Sequence, residues 1–230
     1  MVDLRTRMIV FAIFKTDLVK PILMVRKLIF FVFIFIVFCA SKGQACSVIY
    51  YVDPVTCKVY VANNEDSYFD FTPYVQIEPR SDGEMARLWY GWDDRAQGGV
   101  NEAGLFYDVA VTPHQGQIEG RYELESNLGD EMLSKCKNIE EALQFVESLD
   151  ILLPDAHIMF GDASGNAVVL EWIGHEKRII HIEDDKLVMT NFLLAEPEIG
   201  GHPCWRYNVI QKGLRKIRAS ENPFELKMLG

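Results

Sequence analysis

Histidine is scarce in this chain, with five residues at 114, 157, 175, 181 and 202, and none falls into an HExxH pattern or a close Cys/His pair. Zinc sites need three or four ligands at short spacing, so no metal is expected, nor any other cofactor. There is no GxSxG, and Ser164 in DASG (162–165) reads as a turn residue, which removes the nucleophile elbow of a serine hydrolase. The glycine pairs at 98–99 and 200–201 lack the strand–loop–helix setting and the lysine of a phosphate-cradling loop. Positive charge is also short: 23 Lys and Arg face 33 Asp and Glu, for a net charge of −10. An acidic chain without a basic, aromatic stripe repels phosphate backbones and anionic membranes, so nucleic acid is not an expected partner.

The apolar block LIFFVFIFIVFCA, from Leu28 to Ala40, is 13 residues long with Arg26 and Lys27 before it. A bilayer-spanning helix needs about 20 residues, whereas the apolar core of an export signal needs about 7–15. Gly43 and Ala45 are the small residues a signal peptidase reads, so residues 1–45 are expected to form a cleavable signal region, with Met24 as an alternative start. Cleavage after Ala45 leaves residues 46–230 as one exported domain, periplasmic or secreted, with no stable membrane insertion and with homo-oligomerisation left open. That domain holds 16 basic and 31 acidic residues, near −15.

Of the five cysteines, Cys39 lies in the signal, leaving Cys46, Cys57, Cys136 and Cys204 for an oxidising compartment. Cys46 is open to two readings. It is a half-cystine bridged to Cys57 across a hairpin, in an inactive secreted β-rich domain, or it is the first residue of the mature chain and a nucleophile.

Residues 46–52 and 57–63 are β-branched and aromatic runs around the turn-forming DPVT, hence a hairpin. Extended segments follow at 85–92 and 104–111. Helical spacing then appears at 129–136 and at 139–149, where Asn138 is the predicted N-cap ahead of Glu140 and Glu141. HIMFGD, NAVVLEWI, RIIHIE and KLVMT read as a four-stranded antiparallel meander with His157 and His181 as ordinary strand residues, and 205–217 reads as an amphipathic helix. Asn222 and Pro223 open another helix that has hardly begun at Gly230, so the fold is expected to be truncated at its C-terminus. Strands, helices and strands again within one domain make the class α+β.

An N-terminal cysteine carries its own base, because an α-amine titrates near 7.7–8.0 and a thiol near 8.5, and the amine can take the thiol proton without a histidine. Cys46, the NNED at 63–66, GGVNEAGL at 98–105, FGDASGNAVVLEW at 160–172 and MTNF at 189–192 together resemble the N-terminal-cysteine hydrolases of linear amides. That family includes choloylglycine hydrolases, penicillin V acylases and acyltransferases related to acid ceramidase. The resemblance implies a four-layer αββα sandwich and hydrolysis, or acyl transfer, at the non-peptide C–N bond of a small N-acyl amide. It implies Cys46 as nucleophile, Asp66 beside the Cys46 amine, Asn101 in the oxyanion hole, Asn191 as a second site asparagine, and Arg206 near the nucleophile. One departure concerns charge: many members carry an arginine three residues before the aspartate, and this chain has Asn63, which implies a less stabilised thiolate.

Overall fold

The computed structural model describes residues 46–66, 71–113, 115, 127–149, 151–198 and 204–218. All of them fall within one compact unit, Gln44–Gly230. The expected signal region, His114, His202 and the helix expected after Asn222 lie outside the described residues, among which no helix is long and apolar enough to cross a membrane.

The hairpin of β1 (Ser47–Val52) and β2 (Val59–Asn64) forms where the β-branched runs place it. Asp53 closes the turn: one carboxylate oxygen accepts from the Val55 N–H at 2.8 Å and the other from the Thr56 hydroxyl at 2.9 Å. Cys57 sits in this turn with φ +56° and is exposed, at the far end of a six-residue strand from Cys46. A strand of that length spans about 20 Å, beyond the reach of a disulfide. The Cys46–Cys57 bridge is therefore overturned, and all four described cysteines are free.

Seven further strands build a second, larger sheet: β3 (Tyr74–Glu78), β4 (Arg87–Trp92), β5 (Arg95–Asn101), β6 (Phe106–Val111), β7 (Ala156–Gly161), β8 (Ala167–Ile173) and β9 (Glu176–His181), each antiparallel to the next. The last strand, β10 (Lys186–Thr190), departs from the expected meander. It leaves β9, crosses to the small sheet and pairs with β1, Ser47 opposite Thr190 and Tyr51 opposite Lys186. Leu187 and Met189 thereby join Val48 and Tyr50 in covering the large sheet, while Val188 turns outward.

Side-chain alternation then sets the layers. On β6 to β8, Phe106, Ala110, Met159, Ala167 and Val169 face the small sheet, and Tyr107, Ile158, Phe160, Val168, Leu170 and Trp172 face away from it. The outward set is covered by α1 (Leu128–Lys135) and α2 (Ile139–Ser148), whose Met132, Leu133, Ala142 and Val146 are fully buried. Asn138 caps α2 as predicted, accepting from the Glu141 N–H at 2.9 Å. On the other side α3 (Trp205–Arg218) lays Tyr207, Ile210, Leu214 and Ile217 against Tyr51 and Val188. The order is helix, seven-stranded sheet, three-stranded sheet, helix, which is the αββα sandwich that the motifs imply.

One buried polar pair anchors the path from β10 to α3. Glu171, on the inner face of β8, contacts His157 Nδ1 at 2.9 Å and accepts from the backbone N–H groups of Leu194 and Ala195 at 2.7 and 3.0 Å. Both side chains are fully buried, so this hydrogen-bonded pair fixes the segment that returns the chain to α3. His157 lies in β7, as the strand reading expects, and within that strand it is a partner in the anchor.

Candidate active site

Cys46 lies immediately before β1, 4% exposed, at the end of the inter-sheet core. Its backbone carbonyl accepts from Arg206 Nη1 at 2.5 Å, and the same guanidinium nitrogen is 3.3 Å from Ser47 Oγ. Arg206 Nη2 donates to Asn191 Oδ1 at 2.9 Å, and Asn191 Nδ2 donates to the Val111 carbonyl at 2.8 Å. Each part follows from the fold. Register puts the end of β10 beside the start of β1, so Asn191 arrives next to Cys46, and the anchored return to α3 brings Arg206 from the outer layer. Three of the five predicted site residues, Cys46, Asn191 and Arg206, are therefore brought together.

Asp66 reaches the site through its backbone. Its N–H bonds to the Cys46 sulfur and favours the thiolate, while the Asp66 side chain is exposed. The carboxylate at the sulfur is instead Glu65, whose Oε2 accepts from Cys46 Sγ at 3.1 Å. Burial, then the Glu65 charge, push the Cys46 thiol up to about 11; the Asp66 N–H and the Asn191 side chain oppose that shift. Burial also raises the Glu65 carboxyl above its ordinary range.

Asn101 lies elsewhere. Strand alternation from Gly98, whose missing side chain would point at Tyr90 and Asp108, puts Asn101 on the opposite, helix-facing side of β5. Its Nδ2 donates to the Leu133 and Cys136 carbonyls at 2.9 and 2.7 Å, and its Oδ1 accepts from the Ala103 and Leu105 N–H groups at 3.1 and 3.0 Å. With two N–H donors and two acceptor lone pairs, the side chain is saturated. It holds the β5–β6 turn onto the end of α1.

Sequence reasoning also missed Asn63, Glu65, Tyr90 and Asp108 as a connected group. The signal was an aspartate inside the apolar strand FYDVAV and an acid two residues beyond Asn63, on the same face of the chain. Among the described residues no group of three or more His, Cys, Asp or Glu is arranged to hold a metal ion.

No known family profile matches the chain, and no curated protein matches it. Solved structures do. Penicillin V acylase from Agrobacterium tumefaciens aligns with a TM-score of 0.55 and 21% identity over 77% of this chain and 68% of its own. The N-acylethanolamine-hydrolyzing acid amidase ortholog of Caenorhabditis elegans aligns with a TM-score of 0.57 and 14% identity, over 80% of this chain and 83% of its own. The chain is similar in fold to both, and that fold is the one of the N-terminal-nucleophile hydrolases.

Proposed function

We propose that this chain is an exported thiol amidase that cleaves a linear, non-peptide amide bond through Cys46. The observation that carries the reading is the convergence on Cys46 of Arg206 and Asn191, residues that meet only through the crossing of β10 and the return of α3. The αββα fold, similar to that of two amide hydrolases, supports it.

The chemistry starts with removal of residues 1–45, because only a free Cys46 nitrogen has a lone pair for the thiol proton. The amine takes that proton, and the sulfur attacks the amide carbon of the substrate. The Asn191 amide is the side-chain donor closest to hand for the developing oxyanion. The C–N bond then breaks, the departing amine leaves with the proton held on the Cys46 nitrogen, and an acyl-thioester remains. A water molecule gives its proton to the Cys46 amine as it attacks, the acid is released, and the proton returns to the thiol. Arg206 fixes the Cys46 backbone carbonyl and the Asn191 side-chain Oδ1 together, so nucleophile and donor keep one geometry through both steps.

Before cleavage, burial and the neighbouring Glu65 carboxylate keep the Cys46 thiol protonated. With the thiol pushed up to about 11, it is a poor nucleophile at pH 7 until the freed amine can take its proton.

Intact-mass measurement of exported protein, with and without a thiol alkylator, is expected to show Cys46 as the first residue and as alkylatable without reductant. Cys46→Ala is expected to abolish turnover of N-acyl amides with the fold retained by circular dichroism. A different first residue, or turnover in Cys46→Ala equal to that of the parent, overturns the reading.

A further inference from the structure

A chain of polar side chains runs from Cys46 into the space between the sheets. Glu65 accepts from the thiol with Oε2, and its Oε1 is 3.1 Å from Asn63 Nδ2. The same amide nitrogen is 2.9 and 2.8 Å from the two carboxylate oxygens of Asp108 and also contacts the Tyr90 hydroxyl. Tyr90 donates to Asp108 Oδ2 at 2.6 Å. The five residues come from four places in the chain: the entry to β1, the end of β2, β4 and β6.

Counting protons shows what this arrangement can do. Asn63 Nδ2 carries two N–H groups and faces two carboxyls, and Tyr90 supplies one further proton. Two carboxyls sharing one amide in a buried setting do not both ionise readily, and the deeper one keeps its proton. Asp108 is fully buried, and burial, with the charge of Glu65 in support, raises its carboxyl well above the ordinary range. Glu65 is only partly buried and faces the sulfur, so the negative charge of the cluster settles there. The groups that face Glu65 are Cys46, Asn63, Tyr90 and Asp108, with Arg206 engaged on the far side of Cys46.

We propose that Glu65, rather than Asp66, is the acidic side chain that positions and tunes the nucleophile, and that Asn63, Asp108 and Tyr90 are the scaffold that holds it there. Asn63 stands where an arginine would have placed a positive charge. It performs a different task, tying a charged acid at the sulfur to a neutral acid in the core. Asp66 contributes a backbone N–H, and its side chain is left to solvent.

This rests on Cys46 being the nucleophile, and its test reads the thiol directly. The full chain is alkylated with iodoacetamide between pH 6 and 12, and labelling of Cys46 is followed by peptide mass spectrometry against Cys57, Cys136 and Cys204. Glu65→Gln is expected to lower the midpoint by about one unit and to speed labelling at pH 7.5 about tenfold, because a negative neighbour is lost. Asp66→Asn is expected to move the midpoint much less. Asn63→Ala, which leaves Glu65 charged and unheld, is expected to give an intermediate shift. A Glu65→Gln profile that superimposes on the parent, or an Asp66→Asn shift as large as that of Glu65→Gln, overturns the proposal. If Glu65→Gln does not fold, Glu65→Asp retracts the same charge by one methylene and should lower the midpoint, and an unmoved midpoint there overturns it equally. Turnover of an N-acyl amide is measured separately: shifted labelling without turnover in the parent refutes the amidase reading alone, and turnover with unshifted labelling refutes only the role of Glu65.

Discussion

Gly98 is the position where fold and site can be separated by one methyl group. It lies in β5 opposite Tyr90 on one side and Asp108 on the other, and a Cβ built there would run into the Tyr90 hydroxyl, 2.6 Å from its Cζ and 2.7 Å from Asp108 Oδ2. Ordinary contacts between such atoms are near 3.5 Å, so Tyr90 must retreat by about 1 Å. The glycine has no positive φ, so Gly98→Ala carries no backbone strain and tests packing alone. Overpacking of this kind costs about 1–3 kcal/mol, and the lower half applies because the clash is with the end of a side chain. The retreat also breaks the 2.6 Å bond to Asp108, which in a buried setting is worth about 1.5–3 kcal/mol while the carboxyl is charged and less when it is neutral.

A loss near 2 kcal/mol is therefore expected for Gly98→Ala in urea unfolding at pH 7, with an unchanged m-value. Tyr90→Phe removes the nearest of the colliding atoms and the bond, so the double variant should be more stable than the sum of the two single losses predicts, by roughly 1 kcal/mol. Four urea curves give that coupling. Strict additivity, or a Gly98→Ala protein within about 0.5 kcal/mol of the parent, refutes the placement of Tyr90 and Asp108 across β5.

Asn101→Ala strands two buried carbonyls and two turn N–H groups, so a loss of about 3 kcal/mol in urea unfolding is expected, and a loss below about 1 kcal/mol contradicts the saturated geometry. Arg206→Gln releases the Cys46 carbonyl from Asn191, and kcat/KM for an N-acyl amide is expected to fall at least about tenfold, with a parent-like value refuting the clamp. The raised carboxyl of Asp108 fixes a pH dependence: the folded state binds a proton that the unfolded state releases near pH 4, so stability falls as pH rises from there through the folded-state titration. Asp108→Asn removes that loss, and its urea midpoint relative to the parent should be higher at pH 8 than at pH 5; an equal difference at the two pH values refutes the protonated assignment.

Most elements were legible because their signals are local. The β1–β2 hairpin, α1, α2 and α3 follow from β-branched runs, turn chemistry and 3.6-residue spacing, with bounds within two residues of those observed. β3 and β5 were not. RAQGGVN holds two adjacent glycines and only two apolar residues, and it is a strand because β4 and β6 pair with it on both sides and because only glycine fits between Tyr90 and Asp108. The destination of β10 was hidden for a related reason. KLVMT suits either sheet by composition, and the choice is made by β1, which would otherwise leave an edge unpaired and Val48 and Tyr50 uncovered.

The site divides along the same line. Cys46, Asn191 and Arg206 each sit at the end of an element, where residue type alone marks them, and the β1–β10 register with the path of the chain then brings them together. Asn101 and Asp108 differ by strand parity: seven positions apart across the β5–β6 turn, they face opposite sides of one sheet, and only the face that looks toward the small sheet can serve the sulfur. Motif spacing does not encode that face. The same logic applies to NNED, where alternation puts Asn63 and Glu65 toward the core and leaves Asp66, the residue that the motif favours, presenting its backbone. Glu65, the first residue past β2, reaches the sulfur with its carboxylate at 3.1 Å, whereas Asp66, one residue further, meets it only through its backbone N–H. That difference in reach is why the charge of Glu65 bears more strongly on the thiol than that of Asp66.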